Sequence, residues 1–155
     1  MIKFFVFFVL VTLDLLSKKF IFDSIDLNTF IPLTFFLDIT HIHNYGIAFG
    51  LFSDVLPIWF IVLSGILLTI FLLFWMFKTS NVLEKWGILL IIAGAISNIS
   101  DRLLNNYVLD FIFLHYKHYY WPAFNFADIY ISIGVLLIII EIIRTFKTKT
   151  KKKND

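Results

Sequence analysis

Apolar residues run along this chain in long blocks, not at the three-to-four spacing of a helix with one wet face. The block "PIWFIVLSGILLTIFLLFWMF", Pro57 to Phe77, holds no charged residue, and roughly 20 such residues span the hydrocarbon core of a bilayer as a helix. "WGILLIIAGAISNIS", Trp86 to Ser100, continues the pattern and turns polar at its end. "ADIYISIGVLLIIIEIIR", Ala127 to Arg144, has Asp128 at its mouth and Glu141 near its exit. The first block, "FFVFFVLVTLDLLSKKFIF", carries Asp14, Lys18 and Lys19 in its second half, and no small-residue cleavage site follows it. These blocks predict four transmembrane helices over residues 4–22, 57–77, 86–101 and 127–144. Between the first two lies "FIPLTFFLDITHIHNYGIAFGLF", rich in Thr, Ile and Phe, with two-residue alternation in "DITHIH" and glycines at 46 and 50. That pattern predicts short strands. The expected class is an all-α membrane protein with a small β-element.

The placement of basic residues orients the bundle. From Ile21 to Leu56 there is no Lys or Arg, only Asp23, Asp26, Asp38 and Asp54. "KTSNVLEKW" carries Lys78 and Lys85, and five lysines follow Arg144 in "TFKTKTKKKND". The positive-inside rule then puts both termini and the middle connection in the cytoplasm, with segments 21–56 and 101–126 facing outward.

Composition strengthens this reading: 60% of the 155 residues are hydrophobic, 15% are charged and 20 are Phe, more than a water-soluble core of this size would bury. One domain, 1–155, with a basic tail over 145–155, is expected. With no Cys, thiolate metal sites, Fe–S clusters and thiol nucleophiles are excluded. The tail suits anionic lipid headgroups better than nucleic acid, for which the chain has no reading module.

Ionisable residues at membrane depth face the bundle interior and are functional candidates. Asp14 and Lys18 lie four apart on one helix face, as a structural ion pair or as part of a cleft. His41 and His43 alternate with Ile42 and would face one side of a strand; with no third and fourth ligand in view, no metal site is expected. Asn44 and Gly46 suit a tight turn. Gly94, Ala95 and Ser97 permit close helix contact, and Asn98, Asp101 and Arg102 fall within one turn beyond them. Asp110 and Asp128 stand in apolar and aromatic surroundings 18 residues apart. Brought together, two carboxyls share a proton, one drawing a proton from water while the other polarises a carbonyl. Each acid could instead cap a helix or turn.

The motifs "DLLSK", "NYGIAFG", "NISDR", "VLDF" and "FNFAD", in that order and at these intervals, resemble lipoprotein signal peptidase (signal peptidase II), an aspartic protease family of bacterial cytoplasmic membranes. The resemblance covers nearly the whole chain. It implies that Asp110 and Asp128 form the catalytic dyad, and that Asn44, Gly46, Asn98, Asp101, Arg102, Asn125, Asp14 and Lys18 bind substrate or support the site. It also implies a monomer among membrane lipids that needs no cofactor. Its substrates would be prolipoproteins, cut just before a cysteine bearing diacylglycerol, at an active site facing the outer side of the inner membrane. Ser97, Asn106 and Ile47 depart from the family's usual glycine or small residue. A rival reading, a small proton- or ion-translocating subunit, expects acids spread through the membrane's depth. Here Asp101, Asp110 and Asp128 gather toward one end.

Overall fold

The computed structural model describes residues 1–47 and 55–154, with side chains through residue 148. The later part of "NYGIAFG", including Gly50, and the acidic Asp54 lie outside the described residues. The elements run α1 (Ile2–Ser24), β1 (Phe30–Pro32), β2 (Leu37–Asn44), α2 (Ile58–Lys78), α3 (Val82–Asn105), β3 (Val108–Tyr116), β4 (Tyr119–Tyr120) and α4 (Phe126–Asn154). The described residues are mostly helical, with one small antiparallel sheet among them in the order β1-β2-β3-β4.

Among the described residues, three helices are long and apolar enough to cross a membrane: α2, α3, and α4 as far as Thr148. The 23 residues of α1 are comparable in length, but Asp14, Lys18 and Lys19 interrupt its apolar run. α4 continues as a helix through the lysine-rich tail, past residue 144 where the hydrophobic block ends. No Pro or Gly follows to stop it, and Thr and Lys tolerate helical backbone. The bundle is apolar on the outside: Leu67, Phe71 and Phe74 of α2 and Leu136 and Ile139 of α4 are exposed, whereas Asp14, Lys18, Ser97 and Asn98 are buried. That distribution suits lipid as the surrounding solvent.

α3 is the central helix, with 50% of its apolar window buried against 22% for α2 and 17% for α4. Small residues bring α4 against it. A Cβ on Gly134 would fall 2.5 Å from the Gly87 carbonyl oxygen, and one on Gly94 would collide with the Ala127 carbonyl. Close contact at Gly94 therefore fixes the first turn of α4 beside the polar end of α3, as the small-residue run predicts. Leu72, Ile88, Ile91, Ile92 and Ile138 pack together farther along the bundle.

The sheet sits where α1 and α3 end and α4 begins. Asn81 caps the start of α3, its side-chain oxygen accepting the Leu83 and Glu84 N–H groups. At the other end Asn106 adopts a left-handed conformation, φ 65°, and donates its N–H to the Arg102 carbonyl. Asn accepts this backbone where most residues do not, so the chain turns from α3 directly into β3. Along β2–β3 the pairing runs Ile39↔Ile112 and then Ile42↔Asp110, a one-residue bulge at Thr40–His41. A bulge re-aims the side chains beyond it. Here it puts Asn44, two residues past Ile42, on the same face as Asp110. After β4 the chain returns along the free edge of β3: Phe124 donates its N–H to the Ile112 carbonyl at 3.0 Å and accepts from the Phe111 and Ile112 amides at 3.0 and 2.8 Å. This return carries Asn125 and the start of α4 back to Asp110.

Candidate active site

Asn125 stands between the two acids. Its side-chain N–H donates to Asp110 Oδ1 at 2.6 Å, and its backbone N–H donates to Asp128 Oδ2 at 3.2 Å. In return the Asp128 N–H donates to Asn125 Oδ1 at 3.0 Å. Asn125 and Asp128 thus form a reciprocal box at the start of α4, so Asp128 does cap that helix. Asp110 is 2% exposed, whereas Asp128 lines a cavity of about 670 Å³ between α2, α3 and α4.

Two more asparagines complete the arrangement. Asn44 donates to Asp110 Oδ2 at 3.0 Å, and Asn98 donates to Asp128 Oδ1 at 2.9 Å. Each amide is held in one orientation by a partner on its oxygen. Asn44 Oδ1 accepts the Gly46 N–H at 3.0 Å, Asn98 Oδ1 accepts from Lys18 Nζ at 2.8 Å, and Asn125 Oδ1 accepts the Asp128 N–H. Burial pushes the Asp110 carboxyl from its ordinary 3.8 up to about 7, helped by the nearby Asp128; the hydrogen bonds from Asn44 and Asn125 and the charge of Lys18 oppose the rise. A proton therefore rests on Asp110 into the neutral range.

Behind the acids lies a buried ionic network. Lys18 Nζ meets Asp14 Oδ2 at 2.7 Å and Asp101 Oδ2 at 3.0 Å, which with Asn98 uses all three ammonium protons. Asp14, fully buried, also accepts the Ala127 N–H at 2.8 Å and the Ser97 hydroxyl at 2.5 Å. An acid on α1 thus satisfies an orphan amide in the first turn of α4, and the departure at Ser97 supplies a further donor to it. Asp14 and Lys18 are ion-paired, and Lys18 also reaches Asn98, which donates to Asp128. Asp101 also accepts the Leu109 N–H at 3.4 Å. Arg102 donates to the Gly46 carbonyl at 2.5 Å and the Asn98 carbonyl at 3.3 Å; its buried Nε has no hydrogen-bond partner among the described residues.

All ten sequence-derived candidates thus gather at one end of the bundle. Asp110, Asp128, Asn44, Asn98 and Asn125 form the inner group, Asp14, Lys18 and Asp101 lie behind it, and Gly46 with Arg102 holds the turn after β2. Asn44, Asn98, Arg102 and Asp128 face the cavity, whose remaining wall is chiefly apolar. Sequence reasoning missed Ser64, Gly65 and Ser132 in that wall; their signal is small or hydroxyl residues within otherwise greasy blocks. Among the described residues no group of three or more His, Asp or Glu is arranged to hold a metal ion.

A family model described as Signal peptidase (SPase) II matches residues 6–144. The chain is 36% identical over 151 residues to a lipoprotein signal peptidase of Teredinibacter turnerae, covering 94% of this chain and 88% of that protein. It is 39% identical over 133 residues to one from Thermodesulfovibrio yellowstonii, covering 85% and 88%. A bacterial membrane enzyme solved by the in meso method at 2.3 Å resolution superposes with a TM-score of 0.88 at 31% identity, over 95% of this chain and 90% of that one.

Proposed function

The chain belongs to the signal peptidase II family, the lipoprotein signal peptidases, and from that premise we propose that it is an aspartic endopeptidase with Asp110 and Asp128 as its dyad. The observation that carries the reading is the convergence of two acids from β3 and α4, bridged by Asn125 and held by directed amides. Asp128, facing the cavity, takes a proton from water as the oxygen attacks the scissile carbonyl. Asp110 gives its proton to the carbonyl oxygen, so that a tetrahedral diol forms. Collapse of the diol breaks the C–N bond, with a proton passing from Asp128 to the departing nitrogen while one diol hydroxyl returns its proton to Asp110 as the new C=O forms. Water supplies every added atom, and the two acids return to their starting states.

The substrate is a prolipoprotein, cut N-terminal to its diacylglyceryl cysteine. The apolar wall of the cavity, built from α2, α3 and α4, suits a signal helix and acyl chains entering sideways from lipid, and their remote contacts supply binding energy. In this reading α1 is a fourth transmembrane helix, its charges turned inward to the ionic network. Both termini lie in the cytoplasm of a bacterial cell, with the sheet and dyad on the outer face of the inner membrane, and the enzyme works as a monomer. Asp110→Asn and Asp128→Asn should each lower cleavage of a diacylated prolipoprotein by roughly a thousandfold or more, with membrane insertion unchanged. Near-normal cleavage by either variant rules the dyad out.

A further inference from the structure

Behind the sheet, on the face opposite Asp110, two histidines are joined. His41 Nδ1 lies 2.7 Å from the Ile25 carbonyl oxygen, just past the end of α1, and His41 Nε2 lies 3.0 Å from His43 Nε2. A carbonyl can only accept, so Nδ1 of His41 carries a proton; in the neutral tautomer that this fixes, Nε2 accepts and His43 donates through its own Nε2. The His43 ring also stacks on Tyr107, centroids 3.5 Å apart and planes at 14°. Tyr107 follows the left-handed Asn106 and leads into β3. His43 pairs with Leu109 across the ladder and is therefore pinned by α1, by its strand partner and by the α3–β3 junction. Burial, and then the neighbouring His41, hold its imidazole below the ordinary value, which favours the uncharged ring.

The next residue is Asn44. It is the last of β2, its final ladder partner is Val108, and successive strand side chains point to opposite faces. A fixed direction for His43 therefore fixes the direction of Asn44, at a strand end that would otherwise fray. We propose that His43, anchored through His41 to the end of α1, is a positioning residue that holds Asn44 against Asp110. The proposal rests on the reading of Asp110 as catalytic. It makes the dyad's geometry depend on a contact three elements wide that touches neither acid.

The test is steady-state cleavage of a diacylated prolipoprotein by the full-length enzyme in detergent, with thermal melting alongside. His43→Phe keeps a ring on Tyr107 but cannot donate to His41; kcat should fall about 5- to 10-fold, as expected for one lost hydrogen bond, with KM nearly unchanged. The melting temperature should be modestly lower, because the buried His41 Nε2 loses its partner. His43→Gln, which retains a donor, should recover most of that loss. In an Asn44→Ala background His43→Phe should cost little more, because both act on one interaction. Wild-type kcat in His43→Phe or in Asn44→Ala, equal losses in Phe and Gln, a loss confined to KM, or the full loss repeated in the Asn44→Ala background each overturns the proposal. If Asn44→Ala is too slow to measure, the Phe and Gln variants decide by the same criteria. Asp110→Asn in the same series separates the two levels: if it is inactive while His43→Phe is normal, only this inference fails, whereas an active Asp110→Asn removes the dyad itself.

Discussion

A buried carboxyl held up to about 7 ties the stability of the fold to pH. Between pH 4 and 7 the folded chain keeps a proton on Asp110 that the unfolded chain has released, so folding stability declines as pH rises through that window. The full penalty above pH 7 is on the order of 4 kcal/mol. Asp110→Asn should therefore show a flatter pH dependence of melting between 4 and 7 and be inactive, while its own NH2, set against the Asn44 or Asn125 donor, offsets stability gained at pH 8. A melting curve with the same pH slope in both proteins contradicts this. For wild-type kcat/KM, a decline above about pH 7 should accompany loss of the Asp110 proton. At this scale the sequence was readable to a definite depth. Asp110 and Asp128 stand out because acids are costly in apolar surroundings. The orientation of Asn44, Asn98 and Asn125 was not readable, because an amide's direction is decided by partners up to 80 residues away, as Lys18 is from Asn98.

Helix α1 contributes to the site through a charged stripe directed at α3 and α4. Replacing Lys18 with Met leaves Asp14 and Asp101 buried without their cation, and breaking such a network costs about 3–5 kcal/mol; it also releases the oxygen of Asn98. Lys18→Met should lower both the yield of folded protein and the activity, and a variant that folds and cleaves like the wild type would show the network to be dispensable. Gly94→Ala tests the α3–α4 contact: its added methyl meets the Ala127 carbonyl, so α4 must move and carry Asp128 with it. A loss of activity greater than the loss of stability is expected. Helix existence was legible from apolar block lengths, and the glycine-rich crossing from its small residues. The bulge at Thr40–His41 and the pairing of β3 with residue 124 were not, since strand register is settled by partners remote in sequence. His41 and His43 do face one side, as their alternation suggests, but their joining to Ile25 depends on where α1 ends.

As a whole the molecule keeps its polarity inside and its greasy surface outside, with a largely apolar cavity bordered by α2, α3 and α4. The chain has no cysteine, so single replacements report cleanly on sidedness. His118→Cys, at the exposed β3–β4 turn, should react with an impermeant maleimide on intact cells stripped of any outer membrane, and Ser80→Cys, between α2 and α3, should react only after lysis. The reverse pattern overturns the proposed orientation. Global class was the most legible level, because hydropathy acts over long stretches. The strand-like return of residues 121–125 along β3 has a practical corollary. Main-chain bonds at Phe124 set the spacing between the two acids, and everything from Tyr116 to Tyr120 lies on the far side of that zipper. The hairpin tip is therefore a place where a tag, a reporter or an epitope could be spliced in without disturbing the register on which hydrolysis depends.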